Sequence, residues 1–276
     1  MGSAEHRPGV AAVIPAKDEA ERIGATVHAV RSLPGVDLVV VVDDGSSDGT
    51  AEAALAAGAR VLRHARNRGK GAAMESGAEG VRLIEAGASG GGPPRHRHLL
   101  FLDADLGASA AGAAPLIGPV ERGDADMAVA LFPATRMRLG GHGFVVRLAR
   151  DGIRRATGWE PEQPLNGQRC LTRAAFEAAL PLAHGFGVET GLTIDVLHAG
   201  LRVVEVEVPL EHRATGTDLR AQVHRARQFT DVGRALAARE LGPALARRAR
   251  RTGRDAAAAV RSVSRKIQQS RRRDYR

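Results

Sequence analysis

The stretch Val39–Thr50, VVVVDDGSSDGT, runs four valines straight into two adjacent aspartates. An apolar run without polar alternation is the mark of a strand buried on both faces, as in a parallel sheet with helices on either side. Two like charges side by side are unfavourable unless a cation or hydrogen-bond donors meet them. The strand is therefore expected to end at a ligand.

Working outward from it, short β-rich runs alternate with longer helical ones from Val10 to about Leu210, the pattern of a largely parallel sheet covered by helices. VAAVIPA (Val10–Ala16) reads as the first strand and the run from Asp18 to Leu33 as a helix ending before Pro34. After the valine strand, SDGTAEAALAAG predicts a helix with Ser47 or Asp48 as N-cap and Gly58 closing it. ARVLRHA (Ala59–Ala65), HLLFLDADLG (His98–Gly107), ADMAVALFP (Ala125–Pro133) and LRVVEVEVPLEHR (Leu201–Arg213) read as further strands, and Gly69–Gly87 as a third helix. ASGGGPPRHR (Ala88–Arg97) reads as an unpacked surface loop, and ATRMRLGGHGF (Ala134–Phe144) as a mobile loop over a site. Ligands of open parallel sheets bind outside the carboxyl ends of the strands. Asp43, Asp44, Asp103 and Asp105, all at strand ends, are expected to converge on one crevice.

Two acids one residue apart, Asp103 and Asp105, can direct oxygens at one hard cation, Mg²⁺ or Mn²⁺, which also takes substrate phosphates. Asp44, on a separate strand, is placed to accept hydrogen bonds from a nucleobase or ribose. NRGKGAA (Asn67–Ala73) sets glycines around Lys70 at a helix start, an arrangement in which backbone N–H groups and an ammonium meet an anion. Its spacing is neither that of a Walker A loop nor Gly-x-Gly-x-x-Gly.

Composition bounds the rest. The 276 residues are 43% hydrophobic, enough for a sizeable core, and the single cysteine, Cys170, excludes an internal disulfide and fits a reducing cytoplasm. The start of the chain lacks a signal-peptide core, and no apolar run approaches the ~20 residues needed to span a bilayer. The net charge of +9 resides in the tail: Arg239–Arg276 holds 13 Lys+Arg against 3 Asp+Glu, and the remainder 27 against 28. Such a tail is either a solvated extension or a peripheral contact with anionic membrane. Nucleic acid is not expected, since the tail offers one aromatic, Tyr275, for stacking.

VIPAKDEAERI, VVDDGSSDGT, NRGKGAAM and FLDADL, in this order, resemble the nucleotide-sugar-binding half of glycosyltransferase family 2 enzymes. QPLNGQRCLTRAAF and the run from Gly185 to Arg213 resemble the acceptor half, nearest to glucosyl-3-phosphoglycerate synthases and polyprenyl-phosphate sugar transferases. The resemblance implies a GT-A fold, a single Rossmann-like α/β domain with a mostly parallel central sheet, over 8–232, followed by a basic tail over 233–276. It implies transfer from a nucleotide-diphosphate sugar (a UDP- or GDP-sugar) to a phosphorylated, lipid-phosphate or hydroxyl acceptor. Pro15, Ala16 and Glu19 would line the nucleotide pocket, Asp44 would hold the base, and Gly69 and Lys70 would lie beside the nucleoside and diphosphate. Asp105 and His212 would bind the metal, Asp103 would touch the ribose or a metal-bound water, and Glu189 would stand near the sugar and acceptor as the candidate base. Two departures matter: Pro15-Ala16-Lys17-Asp18-Glu19 lacks the usual Tyr-Asn, and Gly167-Gln168-Arg169 replaces the small and acidic pair of the phosphoglycerate enzymes. A sugar nucleotidyltransferase, and a non-enzymatic membrane or nucleic-acid adaptor using the tail, are the alternatives.

Overall fold

A computed structural model describes residues 8–88, 96–133, 143–210 and 229–239. Met1–Leu236 form one compact unit and Ala237–Arg276 a second. In chain order the first unit runs β1 (Val10–Ala16), α1 (Ala20–Arg31), β2 (Val36–Asp43), α2 (Thr50–Ala56), β3 (Arg60–Arg63), α3 (Lys70–Ala88) and β4 (His98–Phe101). A kinked 3-10 segment (Ala104–Leu116), α4 (Ile117–Glu121), β5 (Met127–Leu131), α5 (Gly143–Thr157), β6 (Arg169–Leu171), α6 (Arg173–Ala178), α7 (Val188–His198) and β7 (Val203–Glu207) follow. Residues 229–236 are helical.

The seven strands form one sheet in the order β3-β2-β1-β4-β6-β5-β7. All pairings are parallel except those of β6, which lies antiparallel between β4 and β5. The valine run of β2 explains itself here. Val39 and Val41 pack with Val10, Ala12 and Ile14 against α1, α2 and the 3-10 segment. Val40 and Val42 pack with Ala11 and Val13 against α3, α6 and α7. Each face needs an apolar residue, so alternation disappears. The α3 face is close enough that a methyl on Gly77 would meet Val13 and Val42, so glycine sets the helix-to-sheet distance. A third cluster joins α5 and α7 to residues 229–236 through Val145, Ile153, Ile194, Val232 and Leu236.

Several expectations need correction. The strand β6 was not expected, because three residues containing an arginine carry no periodic signal. The helix α1 starts at Ala20, since Asp18 adopts a left-handed φ of 54°. The N-cap of α2 is Gly49; Asp48 bonds the Thr50 amide one step earlier, while Gly58, at φ 89°, closes the helix as expected. The segment Ala88–Arg97 is not uniformly unpacked: Arg97 pairs with Asp37 at 2.7 Å, and its amide donates to the buried Glu85 carboxylate. The expected loop over Ala134–Phe144 and His212 fall, but for the first two residues of α5, outside the described residues, as does nearly all of the basic tail. Among the described residues no helix is long and apolar enough to cross a membrane.

Candidate active site

The carboxyl ends of β1, β2 and β4 lie side by side, and the loops leaving them are tied together by their own polar side chains. Asp18 accepts the Ser47 amide at 2.8 Å, Ser46 Oγ accepts the Asp18 amide at 2.9 Å, and Thr50 Oγ1 accepts the Glu19 amide at 2.9 Å. The sequence Asp-Gly-Ser-Ser-Asp-Gly thus serves mainly to cross-link two strand ends. Pro15 is half-buried and Ala16 buried at the end of β1, and Glu19 stands half-buried just before α1.

The two adjacent aspartates separate. Asp43 is fully buried; its Oδ1 accepts the Ser46 amide at 2.8 Å, and its Oδ2 lies 3.1 Å from Arg63 Nε, near enough for charge pairing but without hydrogen-bond alignment. It closes its own turn, which corrects the expectation that four carboxylates meet in one crevice. Asp44 accepts the His64 imidazole at 2.7 Å and the amides of Arg68 and Gly69 at 2.8 Å each. Burial acts against its charge, but His64 and the two amides prevail and hold its carboxyl below the ordinary value of 3.8. A carboxylate has about four lone-pair sites, and three are filled from within the chain. Asp44 therefore holds the Asn67–Lys70 loop against β2, an arrangement in which Gly69 takes φ 90°.

That loop delivers Lys70 to the site. Its ammonium lies 2.8 Å from Asp103 Oδ1 and 3.0 Å from Glu189 Oε1. Burial works against the charged form, yet the two carboxylates overcome it and raise the Lys70 pKa above its ordinary 10.5. Glu189 is buried in the first turn of α7, where the helix dipole also favours a negative charge. Gly167 borders the same point: a methyl there would strike the Lys70 ammonium, so the absence of a side chain at 167 makes room for the charge cluster.

Sequence reasoning missed the residues that hold this cluster. Gln168 clamps Asp103, accepting its amide at 2.8 Å and donating to its Oδ2. Arg169 is fully buried and donates to the Asn166 carbonyl, the Glu189 carbonyl at 3.1 Å and Thr193 Oγ1 at 3.2 Å. Burial pushes its pKa down to about 10, only partly offset by Glu189, Asp103 and Glu205. Thr26 of α1 donates to the Ala104 carbonyl and accepts the Gly107 amide, both at 2.8 Å, so the backbone on each side of Asp105 is fixed. A buried arginine in a short strand and a polar residue on the apolar face of a helix are the available signals, and neither carries a position in space.

Asp105 is half-buried, and among the described residues nothing pairs with its carboxylate. No group of three His, Cys, Asp or Glu able to hold a metal occurs among the described residues. Asp105 presents hard oxygen donors at this strand end, which fits an Mg²⁺ or Mn²⁺ ion that takes its remaining ligands from water and phosphate, while both oxygens of Asp103 are already engaged.

A family model described as "Glycosyl transferase family 2" matches residues 11–144, the segment that holds every loop described above up to Asp105. This segment is a glycosyltransferase family 2 domain. Relatives of the family 2 domain include the glucosyl-3-phosphoglycerate synthase of Mycolicibacterium paratuberculosis, 31% identical over 67% of this chain and 59% of that protein. Glycosyltransferase AglJ of Haloferax volcanii is 30% identical over 76% of this chain and 65% of its own. The chain thus spans about three-fifths of the length of these curated relatives. The crystal structure of Mycobacterium tuberculosis glucosyl-3-phosphoglycerate synthase with Mn²⁺, UDP and glucosyl-3-phosphoglycerate superposes at a TM-score of 0.62, with 27% identity, covering 84% of this chain and 80% of that one. The same enzyme has also been solved with Mg²⁺ and UDP, at a TM-score of 0.61, 26% identity and coverage of 84% of this chain and 79% of that one. The fold of the family 2 domain and the sheet that continues it is GT-A, with the mixed, mostly parallel seven-stranded sheet found above.

Proposed function

We propose that this chain transfers a sugar from a nucleoside-diphosphate sugar to a phosphate-bearing acceptor, aided by a divalent cation. The observation that carries the reading is the juxtaposition, within a family 2 fold, of an ammonium held by the carboxylates of Asp103 and Glu189 with the carboxylate of Asp105, which nothing pairs among the described residues. The match to family 2 favours sugar transfer over nucleotidyl transfer and over an adaptor. UDP is the favoured nucleotide, because the solved relatives hold it, and phosphoglycerate is the first acceptor to try.

In this reading Pro15, Ala16 and Glu19 line the nucleotide pocket. Asp44 acts chiefly by holding Arg68 and Gly69 beside the nucleotide, with one lone-pair site left for the donor. Asp103 takes the ribose side, and Asp105 holds the cation. Bound there, a divalent cation would supply Lewis-acid neutralisation of the departing diphosphate. Lys70 is aimed at the same charge and exchanges one carboxylate for a phosphate oxygen as the donor enters. Glu189, relieved of part of its pairing, accepts the proton of a hydroxyl acceptor.

The test is binding followed by turnover. UDP with Mn²⁺ should raise the melting temperature more than GDP or ADP with Mn²⁺, since a ligand at 100 times its Kd stabilises by about 2.7 kcal/mol. UDP-glucose and 3-phosphoglycerate should then yield UDP by chromatography. Absence of any nucleotide shift would overturn the reading; a shift without UDP release would remove only this donor and acceptor pair.

The tail gives a second expected result. With 13 Lys+Arg against 3 Asp+Glu in the last 38 residues, attraction to an anionic surface is concentrated there. Each basic residue at such a surface contributes about 1 kcal/mol, screened over about 8 Å at physiological salt. Full-length protein should co-sediment with phosphatidylserine vesicles at low salt and be released at high salt, whereas protein ending at Ala238 should stay in the supernatant. Equal sedimentation of both would take the anchoring role from the tail.

A further inference from the structure

The two acids of the Asp103-Ala104-Asp105 segment are chemically alike, one residue apart, and treated quite differently by their surroundings. Asp103 has both carboxylate oxygens engaged, Oδ1 by Lys70 and Oδ2 by Gln168. Asp105 has neither engaged among the described residues. Part of the difference comes from Gln168, which is 1% exposed and meets both the amide and the carboxylate of Asp103. The orientation of that amide is dictated by its partners: the Asp103 N–H requires an acceptor and the Asp103 carboxylate requires a donor. Gln168 itself is fixed from below. Its N–H donates to Asn166 Oδ1 at 2.9 Å, and the Asn166 carbonyl is in turn held by the buried Arg169 guanidinium at 2.6 Å.

We propose that Gln168 is a positioning residue that reserves Asp103 for the donor and for Lys70, leaving the divalent cation to Asp105. The inference rests on the nucleotide and cation site proposed above. A side chain at 168 must donate to one oxygen of Asp103 and accept from its amide, across a gap that asparagine is too short to span. Glutamate has the right length but sets a carboxylate against a carboxylate. Like charges this close favour any cation that enters, so a third acid would turn the donor side of the site into a metal site.

The experiment compares the full-length protein with Q168E and Q168M, measuring Mn²⁺ binding without nucleotide from the free Mn²⁺ signal in electron paramagnetic resonance, and UDP binding without metal by calorimetry. Q168E should bind Mn²⁺ alone about tenfold more tightly or better, the size of a 1.4 kcal/mol gain. UDP without metal should bind about tenfold more weakly, because Asp103 is no longer aimed. Q168M, which can neither donate nor accept, should lose UDP affinity while keeping or improving its affinity for Mn²⁺.

Opposite changes for the two ligands are the signature of positioning, whereas parallel losses would mean that Gln168 is only structural and would overturn the proposal. An unchanged Mn²⁺ affinity in a cooperatively melting Q168E would overturn it equally. If Q168E fails to fold, Q168M decides: UDP weakened with Mn²⁺ retained supports the proposal, and loss of both or neither rejects it. A parent protein that binds neither UDP nor Mn²⁺ would bring down the site reading itself, and with it this inference. Normal parent binding beside indifferent variants would remove Gln168 alone.

Discussion

Asp105→Asn is expected to lower sugar transfer on the order of 10²–10³-fold, the range seen when one preorganised electrostatic contact to a transition state is removed. Thr26 fixes the backbone on both sides of residue 105, so the isosteric amide should occupy the same place and the fold should survive. What changes is the charge offered to a cation, since a neutral amide oxygen is a far poorer ligand for a hard divalent ion than a carboxylate. EDTA should inhibit the parent to a comparable extent, with Mn²⁺ restoring activity to the parent but not to the variant. The check is initial rates of UDP release together with the urea midpoint. Full turnover in either condition would remove the metal from the mechanism.

Lys70→Met should have the second large effect, visible in both stability and binding. The substitution leaves Asp103 and Glu189, which now share one nitrogen within 3.0 Å, facing each other without a cation. One carboxyl of the pair should then hold a proton well above its ordinary pKa. A raised folded-state pKa contributes stability that is complete below the unfolded value, about pH 4, and is lost as the pH rises through the folded value. The variant should therefore approach the parent near pH 4–5 and fall behind by about 1–3 kcal/mol at pH 8, a figure reduced for the partial exposure of the cluster. Nucleotide affinity should fall about 10–100-fold, the worth of a hydrogen bond between charged groups. Urea unfolding across this pH range and calorimetry with UDP measure the two. A variant whose stability deficit is independent of pH would show that the carboxylates do not depend on Lys70.

Much of this architecture can be read without coordinates because it is encoded locally. The uninterrupted Val39–Val42 run requires helices on both faces, and both faces are covered. The glycines around Lys70 signal a helix start, and a helix does begin there, at Lys70, with Gly69 turning into it at φ 90°. What cannot be read is carried by contacts between distant residues. Asp43 and Asp44 are indistinguishable as letters, yet one turns into its own loop and the other grips the next one, because Arg63 at the end of β3 lies against Asp43 while His64, the residue after it, meets Asp44. The antiparallel strand β6 is invisible for a related reason: three residues, one of them an arginine, acquire extended structure only from β4 and β5 on either side. Gln168 and Arg169 then look like ordinary polar positions, although they determine how Asp103 and Glu189 are aimed.

The reversed direction of β6 has a consequence for how such a protein can diversify. A parallel strand brings to the rim of the sheet the residues that follow it, and those same residues must go on to start the next helix, so their identities are constrained twice. A strand running the other way brings the residues that precede it, here Asn166, Gly167 and Gln168, which lie in the connecting loop and have no helix to initiate. Changes there can alter the chemistry of the rim while the three parallel strand ends, and the turn geometry they require, stay as they are. The inverted strand β6 is thus an adjustable wall beside a fixed one, and natural variation among proteins of this architecture should be richest at the entrance to β6 and poorest at the exits of β1, β2 and β4.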